Sequence, residues 1–150
     1  YADVLSRVRS SSLGSVTEAS DVIARGVVVS RWETDYKSED GRVGTMIHYK
    51  LRMDELLKGK RAGDFIEFVV PRVREYVPQW YRTVPAGIDV GQEWLVFLRD
   101  GERGLFPFAG PSSTLQVKGQ DLIFDMSVKY PYSLEKATEV IRSEVTDAGH

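Results

Sequence analysis

Residues 45–55, TMIHYKLRMDE, carry the most regular polarity pattern in the chain. Ile47, Tyr49, Leu51 and Met53 alternate with His48, Lys50, Arg52 and Asp54. A period of two puts the two sets on opposite faces of a strand, so the apolar four are expected inside. Burying each is worth roughly 1.5–3 kcal/mol. A slip of one residue would lose all four and bury charge, so the register is strongly specified. Val- and Ile-rich 21–32 predicts a strand before it, with Gly26 as a bend. DFIEFVVP, 64–71, predicts a third strand with Ile66, Phe68 and Val70 inward and Glu67 outward, ended by Pro71. The unbroken apolar run in QEWLVFLRD, 92–100, reads as a buried fourth strand. TLQVKGQDLIFD, 114–125, reads as a hairpin turning at Lys118 and Gly119.

Between these runs lie turn signals. Residues 33–44, ETDYKSEDGRVG, read as a polar loop whose Asp40-Gly41 pair favours a tight turn. Gly59 and Gly63 turn the chain in LLKGKRAG, and GERG, 101–104, is a further turn. After Pro131 the period changes: Leu134, Ala137, Val140, Ile141 and Val145 fall on one helical face. Ser133 is the expected N-cap and Gly149 lies past the end, giving a helix over 133–146. At the other terminus, Ser15 and Glu18 have capping-box spacing, which predicts a short helical turn in SVTEAS, 15–20. The expected fold is mainly β, with five or six strands in a small barrel or sandwich and a helix at each end. The whole of 1–150 forms one domain, its core running over 21–128.

Composition supports a packed domain. In 150 residues the hydrophobic fraction is 42%, enough for a real core. The net charge of -2 argues against a dedicated nucleic-acid binder, because phosphate contacts draw their affinity from a basic excess. There are no cysteines, which removes disulfides, thiolate metal sites and cysteine nucleophiles together. No apolar run is long enough to span a membrane. The chain opens on Tyr1 rather than methionine, which implies processing or trimming, with any signal peptide already gone.

Three segments then carry a resemblance: DVIARGVVVS, GTMIHYKLRMDELLKG and VGQEWLVFL, in that order. The positions are Asp21, Val22, Gly26, Thr45, Leu57, Lys58, Gly59, Gly91, Glu93, Trp94, Leu95, Phe97 and Leu98. The chain resembles the netrin-like module, the OB-type β-barrel shared with the tissue inhibitors of metalloproteinases, and is most similar to its cysteine-free bacterial versions. The likeness covers roughly residues 21–100 and rests on turn and core positions, so it implies a fold before an activity. In the inhibitors an N-terminal cysteine meets the catalytic zinc. Tyr1 stands at that end here, so the inhibitory mechanism is not carried over. The resemblance implies use of the loops to contact another protein, and an extracytoplasmic location.

The candidate chemistry is sparse. His48 lies on the polar face of a strand, and His150 ends the chain, without ligand partners at metal-site spacing. Ser133 and Lys136 match a Ser-x-x-Lys pattern, but a serine opening an amphipathic helix reads first as a cap. Glu33, Asp35, Glu39 and Asp40 crowd one segment without the ligand order of a calcium loop, so a solvated turn is expected. No cofactor-binding motif, metal set or catalytic set emerges, and the expected function is a non-enzymatic binding module. PRVREYVPQWYRTVP, 71–85, places Arg72, Arg74 and Arg82 among Tyr76, Trp80 and Tyr81. These types dominate protein–protein hot spots. They serve equally to fold a long loop over its own core, arginine stems covering apolar surface. The ranking is fold anchor, then protein contact, then nucleic acid. Partner contacts are expected from 71–85 and from Asp35 and Tyr36 in 33–44. Lys50, Arg52 and Phe65 offer an outer face to single-stranded nucleic acid, opposed by Glu67 and by the acidic 33–40 segment.

Overall fold

The computed structural model describes residues 13–37, 41, 43–60, 63–73, 88–102, 104–109, 113–124 and 128–148. Two long strands, β1 (Val22–Lys37) and β2 (Val43–Lys58), form an antiparallel ribbon. They are followed by β3 (Phe65–Val73), β4 (Glu93–Gly101) and β5 (Gly104–Pro107). Next come β6 (Thr114–Lys118), β7 (Asp121–Phe124) and β8 (Val128–Lys129). Helix α1 covers residues 13–19 and α2 covers Leu134–Ala148. The sheet order is β1-β2-β3-β5-β4-β6-β7-β8, and an added β1–β4 pairing closes five of the strands into a ring. All pairings are antiparallel except β3 with β5, which meet in parallel at Phe68 and Leu105. No helix among the described residues is long and apolar enough to cross a membrane.

The β2 alternation has the expected consequence. Ile47, Tyr49 and Leu51 are buried inside the ring with Met53 packed against them, while Arg52 and Asp54 are exposed. Ile66, Phe68 and Val70 join them from β3, and Tyr49 stacks on Phe68 at 5.1 Å. A second core lies outside the ring. Ile23 of β1 and Leu95 and Phe97 of β4 turn outward to meet Leu115, Leu122 and Ile141 of the hairpin and α2. This explains the unbroken apolar run of β4: Trp94, Val96 and Leu98 face one core and Leu95 and Phe97 the other. The predicted apolar face of α2 is all in the second core, with Ala137 and Ile141 fully buried.

Gly26 marks the bend. It pairs with Met53 on one side and Trp94 on the other, beside a register shift between Arg25 and Gly26. A Cβ there would lie 2.0 Å from the Arg52 carbonyl oxygen, so only glycine permits the approach. Gly119, at φ 64, turns the β6–β7 hairpin as expected.

Several expectations need correction. Eight strands are described where five or six were expected, because β5 and the two-residue β8 lie in segments read as turns or tails. β5 begins on Gly104 and ends on Pro107, residues that argue against a strand when read alone. Residues 33–37 belong to β1 and 43–44 to β2, so Glu33, Asp35 and Tyr36 are strand residues rather than loop residues. β3 runs through Pro71 to Val73, paired with β2, so Pro71 does not end it and Arg72 is a strand residue. Residue 13 is already helical, so Ser15 lies inside α1 and is not its N-cap. The C-terminal helix runs to Ala148, two residues past the expected end.

Candidate functional site

Pairing decides which exposed side chains stand together. The register puts Trp32 opposite His48, Ser30 opposite Lys50, Lys50 opposite Glu67 and Arg52 opposite Phe65. Opposite residues share a face, so the outer side of β1–β2–β3 gathers aromatic and cationic groups from three strands. Trp32 and His48 stack with ring centroids 5.2 Å apart and planes within 4°. His48 Nε2 and Thr34 Oγ1 are hydrogen-bonded at 2.8 Å, which fixes the imidazole against the indole. Two residues along β2, Lys50 Nζ lies 4.7 Å from the centroid of Phe65, an ammonium on an aromatic face. Trp32 is 38% exposed and Phe65 46%, so both rings keep exposed surface while held in place.

The opposite side of the β1–β2 arm is charged. Arg31 pairs with Glu33 at 3.2 Å and donates to the Tyr49 hydroxyl at the end of the ring core. The bond to Tyr49, with the nearby Glu33 charge, outweighs partial burial and holds the Arg31 pKa above its ordinary value. Asp35 is exposed on this side, opposite Thr45, which the register sets beside Arg72 of β3. Tyr36 lies opposite Gly44. Arg74, Tyr76, Trp80, Tyr81 and Arg82 lie outside the described residues, as does His150.

A third constellation has a structural role. Arg25, beside the Gly26 bend, reaches Glu93 at 2.8 Å, Glu55 at 3.7 Å and Asp54 at 3.8 Å. Partial burial works against its charge, but the bond to Glu93 and the fields of the three carboxylates prevail, so its pKa is raised. Arg142 of α2 also pairs with Glu55, so one hub joins β1, β2, β4 and α2.

The remaining sequence candidates settle into structural roles. Ser133 Oγ accepts from the Lys136 backbone N–H at 3.1 Å, the predicted cap. The Lys136 ammonium points to Glu139 at 3.6 Å, not to the serine. Thr34 and His48 have the contact of a nucleophile and base. What the contact does in the structure is hold the ring of His48 in its stack on Trp32. No group of three metal-ligating side chains occurs among the described residues.

Lys50, Arg52 and Phe65 of this face are among the candidates named from the sequence; Trp32 is not, and His48 carries no functional role there. The available signal was the period-two pattern of SRWETDYK, 30–37, which sets Arg31, Glu33, Asp35 and Lys37 on one side and Trp32 and Thr34 on the other. No protein-family profile matches the chain, and no curated protein matches it.

Proposed function

We propose that the chain is a non-enzymatic protein-binding module on an OB-type barrel, and that the outer β1–β2–β3 face receives its partner. The observation that carries this is the pair of held, exposed aromatic groups, Trp32 on His48 and Phe65 under Lys50, on one sheet face. Rigid aromatic side chains with adjacent cations supply binding energy at low entropic cost. What supports the OB-type reading is the ring of five strands, in the order β1-β2-β3-β5-β4-β1, with one parallel pairing among the described residues. The face is close to neutral: Lys50 and Arg52 stand with Asp54 and Glu67. That balance favours a protein over a phosphate backbone. Residues 74–82, with Tyr76, Trp80 and Tyr81, extend the same proposal to the segment after β3. An extracytoplasmic setting follows from the netrin-like reading.

The test is site-directed photocross-linking from position 65 in an envelope extract of the source cell, with Lys118 as control position. A discrete adduct at 65, lost in Trp32→Ala/His48→Ala with unchanged melting, is the expected result. Equal capture from both positions, or capture indifferent to the double substitution, would refute it.

Single-stranded nucleic acid is the second reading, favoured by bases' affinity for exposed rings flanked by Lys50 and Arg52. Quenching of tryptophan emission by oligonucleotides that fades with added salt would support it. No quenching at low salt removes it.

A further inference from the structure

The β1 strand changes neighbours along its length. Residues Val22 to Val27 pair with β4, and Val28 still exchanges hydrogen bonds with Gln92 and Gly91. From Ser30 to Lys37 only β2 lies beside β1 among the described residues, and among these its other edge is unpaired. Arg31, Trp32, Glu33, Thr34 and Asp35 are all exposed there. An open edge of this length is a template for another strand, and charges on it govern which strands pair.

We propose that a second copy of this chain pairs antiparallel along that edge, with Trp32 on the two-fold axis. In an isologous pair, residue i of one copy opposes residue j of the other and the reverse. The charges select the centre. Centring on Arg31, Glu33 or Asp35 sets that charge against itself. Centring on Thr34 sets Arg31 against Lys37 and Glu33 against Asp35. Among centres from Arg31 to Asp35, Trp32 alone brings no like charges together. It sets Arg31 opposite Glu33 twice, Ser30 opposite Thr34 twice, and Trp32 opposite itself. Arg31 and Glu33 are already paired within one strand at 3.2 Å, so the two copies assemble four charges that alternate in sign around the axis. On the other side the Trp32–His48 stacks of both copies meet, and the outer face continues unbroken from one copy to the next. The contact is short, so the dimer is weak and concentration-dependent.

Sedimentation velocity across the micromolar to millimolar range reads it directly. Wild-type protein is expected to dimerise, and Arg31→Glu or Glu33→Arg alone to weaken association by about tenfold or more. The double variant Arg31→Glu/Glu33→Arg restores it, because both opposed pairs are exchanged. A wild-type monomer throughout, single reversals that dimerise normally, or a double variant that stays monomeric would each overturn the proposal. Arg31 also bonds Tyr49, so a second measurement spares it. The chain has no cysteine, so Trp32→Cys is expected to form a cross-linked dimer with a short bis-thiol reagent, and Lys37→Cys far less. Equal cross-linking at both positions speaks against the register. A monomer that still yields the position-65 adduct removes the dimer alone. A dimer that yields none removes the binding-module reading alone.

Discussion

Gly26 shows how one residue sets a local geometry that no neighbour can supply. Its missing Cβ lets β1 cross within van der Waals range of Arg52, and the obstacle is backbone, which has nowhere to turn. Gly26→Ala is therefore expected to cost about 3 kcal/mol or more, read as a fall in urea midpoint with unchanged m-value. Tyr130 makes a different point. It packs against the second core beside Tyr132, 5.8 Å between centroids, and burial, with the neighbouring phenol, pushes its pKa up to about 12. Its ordinary value is 10.0. Because the folded value is the higher, the folded state holds the proton when the unfolded chain releases it. The stability involved is complete below pH 10 and is lost as pH rises toward 12, on the order of 2 kcal/mol. Urea midpoints at pH 9 and pH 11.5 should therefore diverge more in the wild type than in Tyr130→Phe. An equal divergence in both would locate the alkaline loss elsewhere.

At the scale of elements, legibility followed how locally each signal is written. The β2 alternation and the α2 stripe are each complete within one segment, and Tyr49, Leu51, Ala137 and Ile141 are all buried as their periods imply. The α2 start was equally local. Ser133 Oγ takes the Lys136 N–H, and Gln120 Oε1 takes that of Glu135 from the hairpin turn. Ser133→Ala is expected to cost about 1 kcal/mol in thermal or urea unfolding. Loss of only a few tenths would mean that Gln120 suffices. The β1–β2 arm was misread because Glu33, Asp35 and Lys37 look like loop residues until their alternation with Trp32 and Thr34 is counted. The Trp32–His48 stack was not legible at all in one strand. It exists because position 32 falls opposite position 48, a fact belonging to the ribbon's register after the bulges near Gly26. β5 was lost for a similar reason: four residues bounded by Gly104 and Pro107 become a strand only because β4 and β3 present backbone to them.

The whole molecule is held by two cores with a common wall. β1 and β4 give alternate residues to each, Ala24 and Val96 inside the ring, Ile23 and Phe97 outside, so neither core can open without stripping the other. The Arg25 hub, tied to Glu93, Glu55 and through it to Arg142, spans the same junction. Helix α2 is therefore part of the fold and not an appendage. Its removal would uncover Ile23, Leu95, Phe97 and Leu115 along with the helix's own contribution. The loss is on the order of 5–10 kcal/mol, comparable to the entire stability of a typical domain. A chain ending at Ser133 should accordingly lack a cooperative unfolding transition, whereas the full chain should unfold in one. Hydrogen exchange under rising denaturant separates this from the alternative. Amides of α2, of β4 and of the ring strand β2 are expected to open with the same free energy and the same denaturant slope. A ring that stays protected after α2 has exchanged would show that the shared wall does not couple the cores, and that the helix is a detachable cover over β4.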